Sequence, residues 1–324
     1  MNNKDLNLDV SIIIVNYNTK QLIADCLNSI YEQTKDINFE VIVSDNGSTD
    51  GSIEMLKNDF PQIILIENNA NLGFGTANNR GLAIAKGKYI FYLNSDTILL
   101  NNAVKYFFDY WEENGEKENL GALGCNLLDK NKNITSSYDN FPNANKYISG
   151  LIHNNFELWK QLIKAIIRMP TQDFNKNKKI FFKKIGTVDY IIGASLFLKN
   201  DNFAKFDKNF FLYFEETDLQ YQLKKANKIR LLIEQPMIIH LEGSSTKVYN
   251  NINPKEFINF SSRCLKLSSI YYFKKNTSKI KSLIIKLLIL LLWCNPQIIK
   301  YNYKCIPILF KKTITMKDIE NLKK

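Results

Sequence analysis

The chain has 324 residues, 45% of them hydrophobic, enough for a sizeable core and for one large domain or one and a half. Its formal net charge of +11 is uneven: residues 270–324 hold twelve Lys against Asp318 and Glu320, while the other 269 residues carry 31 basic and 30 acidic groups. That distribution argues against a nucleic-acid-binding body and for a basic tail that meets something anionic.

The opening "MNNKDLNLDV" has neither the basic nor the apolar region of a signal peptide. "VSIIIVNYN" (Val10–Asn18) is a short β-branched run and reads as a buried strand. In "TKQLIADCLNSIYEQT", Leu22, Ile23, Cys26, Leu27 and Ile30 follow helical spacing, with Thr19 as the expected N-cap. "FEVIVSDNGSTDGS" is a second buried strand ending in a polar loop, "SIEMLKNDF" a helix and "QIILIEN" a third strand. "GFGTANNRGLAIAKG" reads as a loop and then a helix closed by glycine, and "KYIFYLN" as a fourth strand. Such alternation implies an α/β fold with a mainly parallel sheet and helices on both faces. Ligands of these sheets bind beyond the carboxyl ends of the strands, which puts Asn16, Asp45, Asn71 and Asp96 along one edge.

Residues 139–184 are less regular and read as an insertion on one side of the site, containing the amphipathic "FELWKQLIKAIIRM" and the Lys/Asn-rich "NKNKKIFFKK". "TVDYIIGASLFLKN" returns to a strand. "NFFLYFEETDLQYQLKKANKI" reads as an aromatic strand or turn running into a helix, and "IRLLIEQPMIIHLEG" as two short strands. The domains expected are thus 1–245, containing that insertion, and a helical region 246–324. No internal repeat is visible.

Three groups of residues carry chemical interest. Asp45 can accept hydrogen bonds from a ligand, or simply shape a turn in "DNGSTDGS". Asp96 ends the apolar run "IFYLNSDTILL", where an unpartnered carboxylate is costly; a metal or a hydrogen-bond network resolves the cost, and a helix N-cap is the alternative. Glu215, Glu216 and Asp218 crowd within four residues, which raises carboxyl pKa values and suits a general base, though acids are also common at helix starts. His240, after "PMII", reads as structural on local grounds, and His153 as ordinary.

The order of "VSIIIVNYNT", "VIVSDNGSTDGS", "NNANLGFGTANNRGLAIAKGKYIFYLNSDTIL", "GASLFLKN", "FFLYFEETDLQYQLKKANKI" and "IIHLEG" resembles the inverting family-2 glycosyltransferases of the GT-A fold. Within them it is most similar to the bacterial rhamnosyltransferase-like branch of surface-polysaccharide synthesis, over residues 8–245. The resemblance implies a nucleotide-sugar donor, dTDP- or UDP-linked, and a glycan or polyprenyl-diphosphate-linked acceptor. It places Asn16 and Tyr17 at the nucleoside, Asp45 with Asn46 at the base or ribose, and Gly73, Asn78 and Asn79 beneath the nucleotide. It makes Asp96 the last acid of an Asp-x-Asp signature, here Asn94-Ser95-Asp96, binding Mg²⁺ or Mn²⁺ with His240. It gives Glu216 the position of the catalytic base and Asp218 that of the following Asp. Two departures stand out: Asn94 replaces the first acid, and Glu216 replaces an Asp, which leaves Glu215 as a competing base. A hexose or N-acetylhexosamine donor, and a non-catalytic nucleotide-sugar-binding protein, are the alternatives.

The tail is apolar and basic. "SLIIKLLILLLWC" (Ser282–Cys294) is too short to span a bilayer, and "IIKYNYKCIPILFKK" adds a second apolar patch among lysines. Peripheral contact with an anionic membrane is expected, at its cytoplasmic face; a helical hairpin packed on the rest of the chain is the alternative. The five cysteines, Cys26, Cys125, Cys264, Cys294 and Cys305, show no CxxC pair and no close His, so neither a zinc site nor a disulfide framework is expected.

Overall fold

The computed structural model describes residues 8–166, 183–241, 259–311 and 318. Much of "NKNKKIFFKK", the residues after Leu241 in "IIHLEG", and most of "MNNKDLNLDV" lie outside these. In chain order the elements are β1 (Val10–Asn16), α1 (Lys20–Gln33), β2 (Phe39–Asp45), α2 (Ser52–Asp59), β3 (Ile64–Glu67), α3 (Phe74–Leu82), β4 (Tyr89–Asn94), β5 (Thr97–Leu99), α4 (Ala103–Asn114), β6 (Leu120–Leu128) and β7 (Tyr138–Asp139). Then follow α5 (Ala144–Ile166), β8 (Gly186–Thr187), β9 (Tyr190–Ile191), β10 (Ser195–Lys199), α6 (Glu215–Lys225), β11 (Ile229–His240), α7 (Phe260–Asn276), α8 (Lys279–Trp293), α9 (Ile299–Asn302) and a 3-10 turn (Ile306–Phe310).

The chain divides into two compact units, one of residues 1–141, 180–208 and 215–246, the other of residues 142–179, 209–214 and 247–324. In the first, the described residues form a mixed sheet in the order β3-β2-β1-β4-β10-β6-β11-β5, with β8 beside β11. β3, β2, β1 and β4 are mutually parallel, as are β6 and β11; β10 runs antiparallel between β4 and β6, and β5 antiparallel to β11. The two faces of the sheet follow the period-2 alternation of a strand. Ile12 and Ile14 of β1 join Val41, Phe91 and the buried sides of α1, α2 and α4 in one core layer. Ile13 joins Ile42, Tyr92, Leu219 and Leu223 in the other.

Several local expectations change. Residues 97–99 form a strand, so Asp96 does not cap a helix, and α4 starts only at Ala103. Thr19 occupies the N-cap position of α1 without capping through its side chain; Asp50 Oδ2 accepts from Lys20 N at 2.9 Å instead. α3 ends at Leu82, well before Gly87. Gly87 serves a close approach: a Cβ there would lie 2.3 Å from Ser11 N. "IRLLIEQPMIIH" is one strand, β11, whose register with β6 breaks between Ile233 and Ile238. Pro236 sits in that break, where a missing N–H costs no ladder bond. The aromatic run before α6 is no strand: Tyr213 and Phe214 are left-handed, at φ 68° and 69°.

The second unit is helical. Its core gathers Phe210, Phe211 and Phe214 with Tyr272 and Phe273 of α7 and Ile285, Ile289 and Trp293 of α8. Arg263 of α7, itself buried, donates to Asn302 Oδ1 at 2.9 Å and to the Tyr301 carbonyl at 2.7 Å, satisfying a guanidinium that burial would otherwise penalise. The opposite side of α8 carries Ile280, Leu283, Ile284, Leu287 and Leu291 exposed. No described helix is long and apolar enough to cross a membrane.

Gly87→Ala is expected to push β1 out of place and to destabilise the protein by about 1–3 kcal/mol or more, because the clash is with backbone and no rotamer relieves it. Urea unfolding midpoints of the two proteins measure this.

Candidate functional site

The carboxyl ends of β1, β2 and β4 lie side by side, with Asn16 opposite Asp45 and Val15 opposite Asn94. A polar network fills this edge. Asp45 is fully buried, and its Oδ1 accepts from Gly47 N at 2.9 Å and Ser48 N at 2.8 Å. Its Oδ2 accepts from Asn16 Nδ2 at 2.7 Å and Ser48 Oγ at 2.7 Å. Asp45 therefore organises the loop after β2, and contact with a base or ribose requires one of these bonds to be exchanged. Asn46 ties the next loop down: its Nδ2 reaches the Gly73 carbonyl at 3.3 Å, and its Oδ1 accepts from Asn68 Nδ2 at 3.0 Å. Gly73, at φ 84°, takes a conformation that side chains disfavour and opens α3. Within α3, Asn78 Nδ2 bonds the Phe74 carbonyl at 3.1 Å. Asn79 clamps the backbone of Phe206 from both sides, donating to its carbonyl at 2.8 Å and accepting from its N–H at 2.9 Å. Both asparagines hold framework. Tyr17 is exposed at the edge.

Asp96 meets His240 through topology. β5 adds antiparallel to the last residues of β11, pairing Thr97 with His240, and the Leu241 N–H donates to the Asp96 carbonyl at 2.9 Å. The side chains then meet, His240 Nε2 to Asp96 Oδ2 at 3.2 Å, both nearly buried. Beside them Thr19 Oγ1 donates to Asn16 Oδ1 at 2.6 Å and reaches Ser95 Oγ at 3.1 Å. Asn94 Oδ1 is buried without a hydrogen-bond partner. Beneath them lies the Cys26 thiol, whose pKa burial pushes up to about 12, which makes it inert packing.

Among the described residues no three His, Cys, Asp or Glu side chains gather as a metal site. The side chains that could hold a divalent ion here are Asp96 and His240, with the unpaired Asn94 oxygen nearby in the chain; an ion with so few protein ligands would have to take the rest from phosphates and water.

The acidic turn opens α6. Glu215 and Asp218 are buried, and Glu216 is half-buried. Burial pushes the Glu216 carboxyl above its usual range, offset in part by the backbone N–H groups of Glu216 and Thr217 at the helix start. Gly193 makes room for it: a Cβ there would stand 3.2 Å from Glu216 Cβ and Cγ. The next residue, Ala194, accepts from Asn94 N at 3.0 Å, which links the Glu216 surroundings to the end of β4. Asp218 Oδ1 accepts from Gln222 Nε2 at 3.3 Å on the same helix.

Sequence reasoning missed Gln220. Fully buried, it donates to the Ile191 carbonyl at 2.8 Å and accepts from Ile191 N at 2.8 Å, fastening the segment before Gly193 to the helix that carries Glu216. Its signal was an amide four residues after Glu216, on the same helical face. Ser48, within the turn motif, was also passed over.

The chain resembles a poly(ribitol-phosphate) beta-glucosyltransferase of Bacillus spizizenii, 34% identical over 36% of this chain and 19% of that protein. It also resembles the Escherichia coli UDP-Glc:alpha-D-GlcNAc-diphosphoundecaprenol beta-1,3-glucosyltransferase WfaP, 39% identical over 31% of this chain and 44% of that protein. Among solved structures, S. aureus TarS superposes with a TM-score of 0.48 at 14% identity, over 89% of this chain and 44% of that one. The chain spans less than half the length of each of these relatives. Residues 11–181, more than half of the chain, match the family described as glycosyl transferase family 2, and the chain belongs to that family.

Proposed function

We propose that the chain transfers a sugar, with inversion, from a nucleoside diphosphate donor to a saccharide or lipid-linked acceptor in the synthesis of a cell-surface polysaccharide. The observation that carries this reading is the Asp96–His240 pair just past the end of β4, with the Glu216 carboxyl packed beside Gly193, just before the neighbouring β10. For the donor sugar, the resemblance to the rhamnosyltransferase-like branch favours rhamnose and the names of two relatives favour glucose; an N-acetylhexosamine is the further alternative.

In this reading Glu216 accepts the proton of an acceptor hydroxyl. The hydroxyl oxygen forms a bond to the anomeric carbon from the face opposite the diphosphate, the bond to the diphosphate breaks, and the nucleoside diphosphate leaves with its electron pair. Asp96 and His240 would hold Mg²⁺ or Mn²⁺, which would neutralise the leaving diphosphate. Asn16, Asp45 and Ser48 preorganise the nucleotide side, so little ordering remains to be done on binding. Gln220 and Gly193 keep Glu216 aimed. Glu215, one residue earlier and buried, is the alternative base. The basic C-terminal helices contact an anionic membrane at its cytoplasmic face, where a lipid-linked acceptor resides.

The purified protein with Mg²⁺ or Mn²⁺ is expected to release nucleoside diphosphate from one of a panel containing UDP-glucose and dTDP-rhamnose, and Asp96→Ala to abolish that release. Silence across the panel with saccharide and lipid-linked acceptors present would sink the reading. Glu216→Gln is expected to slow turnover by roughly 10²–10⁴-fold with donor binding retained; if Glu215→Gln does so instead, the base is Glu215.

A separate expectation concerns stability. A carboxyl whose pKa is raised by folding holds its proton more tightly in the native state, so native stability falls as pH rises from the unfolded pKa through the folded one. Glu216→Gln should therefore unfold at a higher temperature than wild type at neutral pH, with the gain shrinking as pH falls through ~4 and vanishing only toward pH ~3, well below the unfolded pKa, where both states of the wild type are protonated. Equal melting temperatures at neutral pH would show that Glu216 is not desolvated. For the same reason kcat/KM should rise with pH through the raised pKa of Glu216, since only the ionised carboxylate accepts a proton.

A further inference from the structure

The second unit contains a cavity of about 500 Å³, within the size range of sites for small ligands. Its walls come from α7, α8 and the 3-10 turn. Leu267, Ile270, Leu283, Ile308 and Leu309 give it an apolar lining. Lys274, Lys279, Lys286 and Lys311 belong to the same lining. Lys311 pairs with Asp318 at 2.6 Å. Among the described residues no carboxylate lies within ion-pair distance of Lys274, Lys279 or Lys286. Lys286 instead stands 4.3 Å from the centre of the Phe310 ring, a second lining residue. Asn209 and Tyr271 add polar groups, joined by a 3.0 Å hydrogen bond from Asn209 Nδ2 to the Tyr271 hydroxyl.

Apolar walls beside three lysines that no described carboxylate pairs match a ligand that is both apolar and anionic. A free phosphate would use the lysines and leave the walls wet. A neutral hydrocarbon would fill the walls and leave the lysines unanswered. Leu283 belongs both to the cavity and to the exposed apolar row of α8, which continues through Leu287 and Leu291. A chain too long for the cavity thus has an apolar path out of it.

We propose that this cavity binds a lipid phosphate, with its phosphate or diphosphate held by Lys274, Lys279 and Lys286 and its first hydrocarbon units against Leu267, Ile308 and Leu309. Two sources share this chemistry: a prenyl diphosphate, which would carry the acceptor sugar, and an anionic phospholipid, which would hold the protein at the membrane. The acceptor assignment rests on the transfer reading above; the binding itself does not.

The test titrates the full chain calorimetrically with farnesyl diphosphate, with inorganic diphosphate, and with phosphatidylglycerol vesicles set against phosphatidylcholine ones. The variant is Lys274→Ala combined with Lys279→Ala, two exposed positions. Farnesyl diphosphate is expected to bind at least ~10-fold more tightly than inorganic diphosphate, and ~10-fold more weakly to the variant, since charge-assisted contacts are the stronger class. Binding of phosphatidylglycerol vesicles that is lost in the variant and not displaced by farnesyl diphosphate would assign the cavity to phospholipid. Inorganic diphosphate binding as well as farnesyl diphosphate, the variant binding like wild type, or no binding of either lipid would each overturn the proposal. Nucleoside diphosphate release by the same samples separates the two readings: lipid binding without any donor turnover leaves this site standing and removes the transfer.

Discussion

The arrangement depends on one constraint: Asp96 must be partnered. A carboxylate at the end of a buried strand costs several kcal/mol if nothing answers it. β5 is only three residues long, yet by pairing antiparallel with Ile238–His240 it sets the imidazole 3.2 Å from that carboxylate. The same pairing explains the register break in β11. Its first half serves the parallel ladder with β6, its last three residues serve β5 as well, and the Glu234-Gln235-Pro236 step between them lets the strand adjust.

The remaining polar groups are arranged so that few must move when a ligand arrives. Asp45 is already satisfied by four bonds, Asn46 by its neighbours in the 68–73 loop, and the Ile191 segment by Gln220. Buried polar networks of this kind are favourable only when complete. Among the described residues the networks are not complete everywhere: Asn68 Oδ1 and Ser195 Oγ are buried without a hydrogen-bond partner, and so is the Asn94 side-chain oxygen at the end of β4. An amide oxygen left open beside an Asp–His pair fits the departure from an acid at this position, since a neutral oxygen tolerates being unpaired better than a carboxylate does.

Much of this was legible in the sequence, for physical reasons. "VSIIIVN" and "FEVIVSD" are β-branched runs that only a strand buried on both faces uses well, and the structure sets them side by side and parallel. The helix α1 followed from apolar spacing, and the family from the order of the motifs. β6 was passed over because Gly121 and Gly124 interrupt its apolar pattern; each stands where a Cβ would press on a neighbour, Lys228 or Ile191. The nearness of Asp96 and His240 had no local signal at all, since a three-residue strand pairs them across 144 positions of sequence. Asp45 read either as a ligand-binding acid or as the shaper of a turn, and the structure shows the turn, with Gly47 and Ser48 folded back on its carboxylate.

Tyr213 and Phe214 are the least expected residues. Two consecutive non-glycine residues in the left-handed region carry strain of order 1–3 kcal/mol each. Both belong to the second unit, whose core holds Phe214 against Tyr272 and Phe273. The next residue, Glu215, begins α6 in the first unit. The strained step is thus the covalent link from the aromatic core to the helix that carries Glu216. An aromatic core can hold such a conformation because the rings bury far more surface than the dihedral angles cost. Within α6 itself, the first backbone N–H groups, those of Glu216 and Thr217, turn toward the Glu216 carboxylate.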